Sequence, residues 1–183
     1  VTSLDPLLGS STANQQTTLL LFRPLVWIGP GGAMDPARSV AASIAAFDNN
    51  QRIRVTLQPW RWSDGAAITA DDVLFTWELI GKLADLWIYN GNGGIPARVA
   101  RVTVVDPHTI DFVLNRPTNP EWFALNGLSQ FPPLPRHAWG DPDKTWLWQS
   151  QTDPAIARVV DGPFRLADFQ LDRYETFEPN PLY

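Results

Sequence analysis

The chain has 183 residues, 44% of them apolar, with a net charge of −5 and only 18% charged residues. It is long enough for one or two small domains with real cores, and its acidic balance without a Lys/Arg block excludes the electrostatic footprint of a nucleic-acid binder. The lack of cysteine excludes disulfides, thiolate metal sites and cysteine nucleophiles.

In chain order, SLDPLLGSSTANQQ (3–16) is polar and turn-rich, and Ser10 to Asn14 start a helix that carries QQTTLLLF and is closed by Pro24. The longest apolar stretch, LLLFRPLVWIG (19–29), is broken by Arg23 and Pro24 and falls short of the ~20 residues a membrane helix needs. No signal-peptide pattern opens the chain. LVWIGPGGAMDP (25–36) reads as a short apolar strand entering a glycine-proline loop, which lacks both the Lys-Ser/Thr of a P-loop and G-x-G-x-x-G spacing. In 38–59 the alanines favour helix, but DNNQ is turn chemistry. Ile53, Val55 and Leu57 alternate with Arg54, Thr56 and Gln58, which predicts a strand pair with one wet face.

After WRWSDG the clearest helix begins. Thr69 precedes Asp72 by three residues, a capping-box start, and Asp71 and Asp72 lie where the helix dipole favours negative charge. Val73, Trp77, Ile80, Ala84 and Trp87 follow at helical spacing, and YNGNGG (89–94) ends the element. RVTVVDPHTIDFVL (101–114) predicts a hairpin turning at Asp106-Pro107-His108. NPEWFALNG (119–127) predicts a short helix, SQFPPLPRHAWGDP (129–142) an extended, irregular run, and 160–183 another two-strand unit turning at Gln170 to Asp172. Seventeen scattered prolines argue against a helical bundle. Strands and helices mix without βαβ alternation, so the class is α+β, with small mixed sheets and packed helices.

No constellation supports catalysis, a metal or a cofactor. His108 and His137 lack H-x-x-x-H spacing and read as surface or capping residues. Asp64, Asp71 and Asp72 crowd together, but Asp64-Gly65 is turn chemistry, Asp72 starts a helix, and the calcium-loop spacing is missing. The serines lack a G-x-S-x-G elbow. Trp60 and Trp62 alternate at a strand end, which puts both indoles on one face as packing residues. Trp27, Trp87 and Tyr89 lie beside glycine-rich loops and are the ligand-contact candidates. Trp62, Asp64, Gly65, Thr69 and Asp72 form the structural motif. Loss of Asp64 or Asp72 is then expected to cost about 0.5–2 kcal/mol of stability each and to leave ligand affinity nearly intact.

The run VTLQPWRWSDGAAITADDVLFTWELI (55–80) resembles the signature region of extracytoplasmic solute-binding proteins of family 5, the peptide, nickel and oligosaccharide receptors of ABC transporters. Six further blocks are similar to the family's in its order: LDPL (4–7), FRPLVW (22–27), VVDPHTIDFVL (104–114), PLPRHAW (133–139), VDGPFRL (160–166) and EPNPLY (178–183). The chain departs at Val160-Asp161, where the family usually has Gly-Thr, and at Glu178-Pro179, which replaces an Arg. The resemblance implies part of a two-lobed periplasmic-binding-protein-like fold without its second lobe. Residues 1–29 are expected to begin the large lobe, 30–158 to form the family's small extra domain, and 159–183 to return to the large lobe, truncated.

It also implies a non-enzymatic, extracytoplasmic receptor without cofactor. Such a receptor captures a small solute, a peptide before others, and delivers it to the permease's transmembrane subunits. It meets the membrane only through that permease or a lipid anchor. Two other classes compete: the sensor domain of a transcription regulator, and a carbohydrate-binding β module.

Overall fold

A computed structural model of the chain describes residues 3–183. Helix α1 (Thr12–Leu21) starts where Ser11 accepts a hydrogen bond from the Asn14 N–H at 3.2 Å. It ends as Phe22 turns extended ahead of Pro24. Strands β1 (Ala41–Phe47) and β2 (Arg52–Leu57) pair antiparallel. The turn between them holds Asp48, Asn49 and Asn50 at φ of 53°, 53° and 63°, a left-handed run that Asp and Asn tolerate because their short side chains bond locally.

Strands β3 (Val99–Asp106) and β4 (Thr109–Leu114) form the second hairpin, and the His108 N–H donates to the Asp106 carboxylate at its turn. The four strands make one antiparallel sheet in the order β1-β2-β4-β3. Register pairs Ile53 with Phe112 and Val55 with Ile110, and all four are buried. The opposite face carries charge: Arg54 grips Asp111 through two hydrogen bonds of 2.7 and 2.9 Å, and Arg52 and Arg54 lie over the Phe47 ring. The Arg54 hydrogen bonds outweigh partial burial and hold Asp111 below the usual carboxylate range.

Helix α2 (Ala70–Leu83) packs against β3 and β4. It is shorter than its apolar periodicity suggests. Ala84, at φ 50°, ends it, and a tight turn over Ala84–Leu86 follows. The buried face therefore carries Val73, Phe75, Thr76, Leu79, Ile80 and Leu83, Trp77 is half-buried with its ring at a near-right angle to that of Phe112, and Ala84 faces solvent.

Short helices α3 (Pro120–Asn126), α4 (Arg136–Trp139) and α5 (Lys144–Ser150) follow. The single turn α4 interrupts the run expected to be irregular throughout, and α5 has no apolar periodicity to announce it, only its N-cap Asp143, which accepts the Trp146 N–H at 2.7 Å. Strands β5 (Phe164–Gln170) and β6 (Tyr174–Pro179) close the chain as a separate two-stranded sheet that packs on α1 through β5. The Gly162 N–H donates to the Leu21 carbonyl at 2.8 Å, and a Cβ at Gly162 would lie 2.4 Å from the Leu20 oxygen, so only glycine permits this approach. The α+β class with small antiparallel sheets is what the chain adopts.

Candidate functional site

Residues 25–29 do not join a sheet. The chain bends at Leu25 and Val26 and then makes one isolated bridge, Ile28 to Met34. Trp27 donates its N–H to the Ser39 hydroxyl and accepts from the Asp35 N–H, at 2.8 and 2.9 Å, and the Gly29 N–H bonds the Ala33 carbonyl at 2.8 Å. The backbone groups of Val26 and Ile28 have no hydrogen-bond partner among the described residues. Both residues line an open groove of about 310 Å³.

The groove is walled by α1 through Thr18 and Leu19, and by Phe22, Trp27, Tyr89 and Phe131. Polar groups sit at intervals on this apolar lining, among them Gln15, Thr18 and Gln130. Such a surface suits a ligand with apolar parts and a polar backbone. Burial pushes the Tyr89 phenol above its ordinary pKa, so it stays a neutral donor and acceptor at physiological pH.

Of the three ligand-contact candidates, Trp27 and Tyr89 line the groove and Trp87 does not. Trp87 is 1% exposed and meets the Tyr89 ring edge-on at 6.2 Å, bracing it from behind. The helix stops at Leu83, and the turn that follows carries Trp87 into the core instead of along the α2 face. Phe131 and Gln130 were not legible as groove residues, because only tertiary contact brings them there: the Leu25 N–H bonds the Phe131 carbonyl at 3.1 Å.

The polar motif behaves differently. Gly65 holds φ 91° in the turn, and Asp64 accepts the Ala66 N–H at 3.1 Å. At Thr69 the capping box closes, with the Thr69 N–H donating to Asp72 at 2.9 Å. Asp72 also accepts the Trp62 indole N–H at 3.4 Å and the Arg136 backbone N–H at 3.1 Å. Burial raises its pKa, although these donors pull the other way. Asp64 reaches the same segment, lying 2.7 Å from His137 Nε2. Partial burial would raise its pKa, but the His137 and Ala66 hydrogen bonds prevail and lower it. His137 thus has the acidic neighbour that sequence distance hid. Trp62 is fully buried against this joint, whereas Trp60 bonds the Ser39 carbonyl and stacks on Arg23, so the two indoles serve different neighbours rather than one face.

Comparison with known proteins fits this arrangement. A family model described as bacterial extracellular solute-binding proteins, family 5, middle, matches residues 35–183. The chain is 29% identical over 147 residues to a putative binding protein of Brucella melitensis, covering 79% of this chain and 22% of that protein. It is 27% identical over 200 aligned positions to the probable deoxycholate-binding periplasmic protein YgiS of Escherichia coli, covering 99% of this chain and 35% of that one. The fold matches the oligopeptide-binding protein AppA of Bacillus subtilis, solved with a nonapeptide, with a TM-score of 0.79 at 21% identity over 100% of this chain and 35% of AppA. The chain therefore spans about a fifth to a third of the length of the proteins it matches.

Proposed function

The chain belongs to the bacterial extracellular solute-binding proteins of family 5, and from that premise we propose that it is part of a receptor for an ABC importer. The receptor captures a solute, a peptide before other classes, outside the cytoplasmic membrane and hands it to the permease. The observation that carries this reading is the groove edged by Val26 and Ile28, whose backbone groups are unspent. An extended ligand main chain fits such an edge, as an added strand fits a sheet. Trp27 and Tyr89 are then the aromatic contacts, and Trp87 supports Tyr89. AppA, similar in fold, was solved with a nonapeptide, which supports the choice of peptide.

The division into 1–29, 30–158 and 159–183 belongs to the same reading. In its support, α1 and the β5–β6 hairpin are tied by Gly162 to Leu21, by Asp161 to the Arg23 N–H and by Thr17 to Glu175. The groove is open on one side, so a second lobe closing over it would exclude water from the ligand's polar groups and raise affinity. Calorimetry checks this directly. Full-length protein titrated with tri- to nonapeptides is expected to bind saturably, and residues 1–183 alone at least about tenfold more weakly, the loss of roughly 1.4 kcal/mol of contact. Equal affinities overturn the two-lobe reading, and no binding by the full-length protein overturns the peptide.

A further inference from the structure

Next to the groove, and sharing Leu19, Pro24 and Trp27 with it, lies a smaller pocket of about 200 Å³ completed by Arg23, Arg38, Pro163 and Tyr183. Arg23 is 5% exposed. Its guanidinium carbon lies 4.2 Å from the Trp60 ring centroid and 4.3 Å from that of Tyr183. One nitrogen donates to the Ala37 carbonyl at 3.3 Å, while the buried Nε has no partner. Asp161, the buried carboxylate beside it, accepts the backbone N–H of Arg23 at 2.9 Å rather than the guanidinium. Among the described residues, Arg23 has no ion-pair partner.

A guanidinium taken out of water is costly, and the charge of Asp161, whose pKa burial pushes up to about 7, offsets only part of that cost. The two rings satisfy its flat faces by cation–π attraction and leave N–H donors in its plane for an acceptor. Arg38 brings a second guanidinium to the exposed rim. It lies over the Trp27 ring at 5.9 Å and is partly occupied by Asp35 at 3.8 Å. With Asp35 on Arg38 and Asp161 beside Arg23, the positive charge that remains suits one further negative charge and not two. A planar, singly charged acceptor that matches the guanidinium fork is a carboxylate. The chain as a whole is negative, at −5, so its overall field does not draw anions in and the local pair must select them.

We propose that this side pocket binds a carboxylate of the solute, with Arg23 as its principal partner and Arg38 as the second, so that the receptor selects solutes bearing a free carboxyl group beside the groove. This inference rests on the solute-receptor reading above and names its ligand class. The carboxylate is either the carboxyl terminus of a peptide or an acidic side chain.

Two experiments on the full-length protein test it. Arginine-selective NMR follows the Arg23 Nε–H during titration with propionate and, separately, propionamide. Propionate alone is expected to shift it; no shift, or equal shifts with both, overturns the pocket. Calorimetry then compares trialanine, its carboxyl-terminal amide, and the amide of Ala-Glu-Ala. One of the two carboxylates is expected to bind at least about tenfold more tightly than trialanine amide, and the ligand that wins identifies the source. Arg23→Gln is expected to abolish the preference, Arg23→Lys to restore part of it, and Arg38→Ala, at an exposed position where folding is not at stake, to weaken it several-fold. Saturable binding with no preference for either carboxylate overturns the pocket and spares the receptor reading. A propionate-specific shift at Arg23 without peptide binding leaves the pocket standing and removes the peptide.

Discussion

The joint between residues 62–76 and Pro135–His137 and the groove edged by residues 22–29 both set polar groups among aromatic rings, but they use those groups in opposite ways. In the joint, Asp72 alone gathers the Thr69, Arg136 and Trp62 N–H groups, and Asp64 spends its oxygens on Ala66 and His137. At the groove, the backbone groups of Val26 and Ile28 and the Nε of Arg23 have no partner among the described residues. Polar groups that satisfy one another hold a scaffold together. Groups left unmatched beside an open groove are, on the function proposed above, where a ligand supplies the missing half.

The comparison breaks first at Asp72. Asp72→Ala removes a helix cap and strands the Arg136 and Trp62 N–H groups in a buried joint, so it is expected to cost about 2–3 kcal/mol, above the range the sequence suggests. Urea denaturation measures that loss, and calorimetry on the fraction that remains folded is expected to find ligand affinity unchanged. An affinity loss with unchanged stability would reverse the roles of the two regions.

Trp27→Ala is the converse experiment. A half-buried indole on the groove wall is expected to contribute about 1–2 kcal/mol to binding, near tenfold in Kd, with little change in the urea midpoint. If the midpoint falls while affinity holds, Trp27 is packing and the groove loses its best aromatic contact.

The smallest effect belongs to Asp64. Its pair with His137 is partly exposed, and such pairs contribute at most about 1 kcal/mol, so Asp64→Ala is expected to cost roughly 0.5–1 kcal/mol near neutral pH. The folded-state pKa of Asp64 is depressed. Its contribution is therefore present above the unfolded carboxylate value and lost as pH falls through the folded one. Denaturation of wild type and Asp64→Ala at descending pH is expected to show the two curves converging in acid; a gap that persists there would assign the loss to the turn rather than the charge.

Much of the fold is visible in local chemistry. The β2 alternation, the Asp48–Asn50 turn, the Asp106-Pro107-His108 hairpin and the Thr69/Asp72 helix start each rest on residues within a few positions of one another. The errors share a cause. Periodicity carried α2 on to Trp87, although Ala84 breaks it at a positive φ that no glycine announces. Apolar content made a strand of residues 25–29, yet a strand needs a ladder, and among the described residues the segment makes only scattered bonds to the 33–39 loop, to Ala41 and to Phe131. Two of the three aromatic candidates reach the groove because Trp27 and Tyr89 adjoin its edges. Arg23 was visible as a charge inside an apolar run, but the run gave no sign that the charge lacked a partner.

The sequence by itself determined the α+β class, the family and the positions of most turns and caps, because these depend on interactions a few residues long. Tertiary structure alone decided that Asp64 and Asp72 meet a segment 64 to 73 residues away and that Trp87 lies behind Tyr89. It also decided that Arg23 is enclosed by Trp60 and Tyr183, distant along the chain. Whether a polar group is satisfied is a property of everything packed around it, and only the folded chain brings those neighbours together.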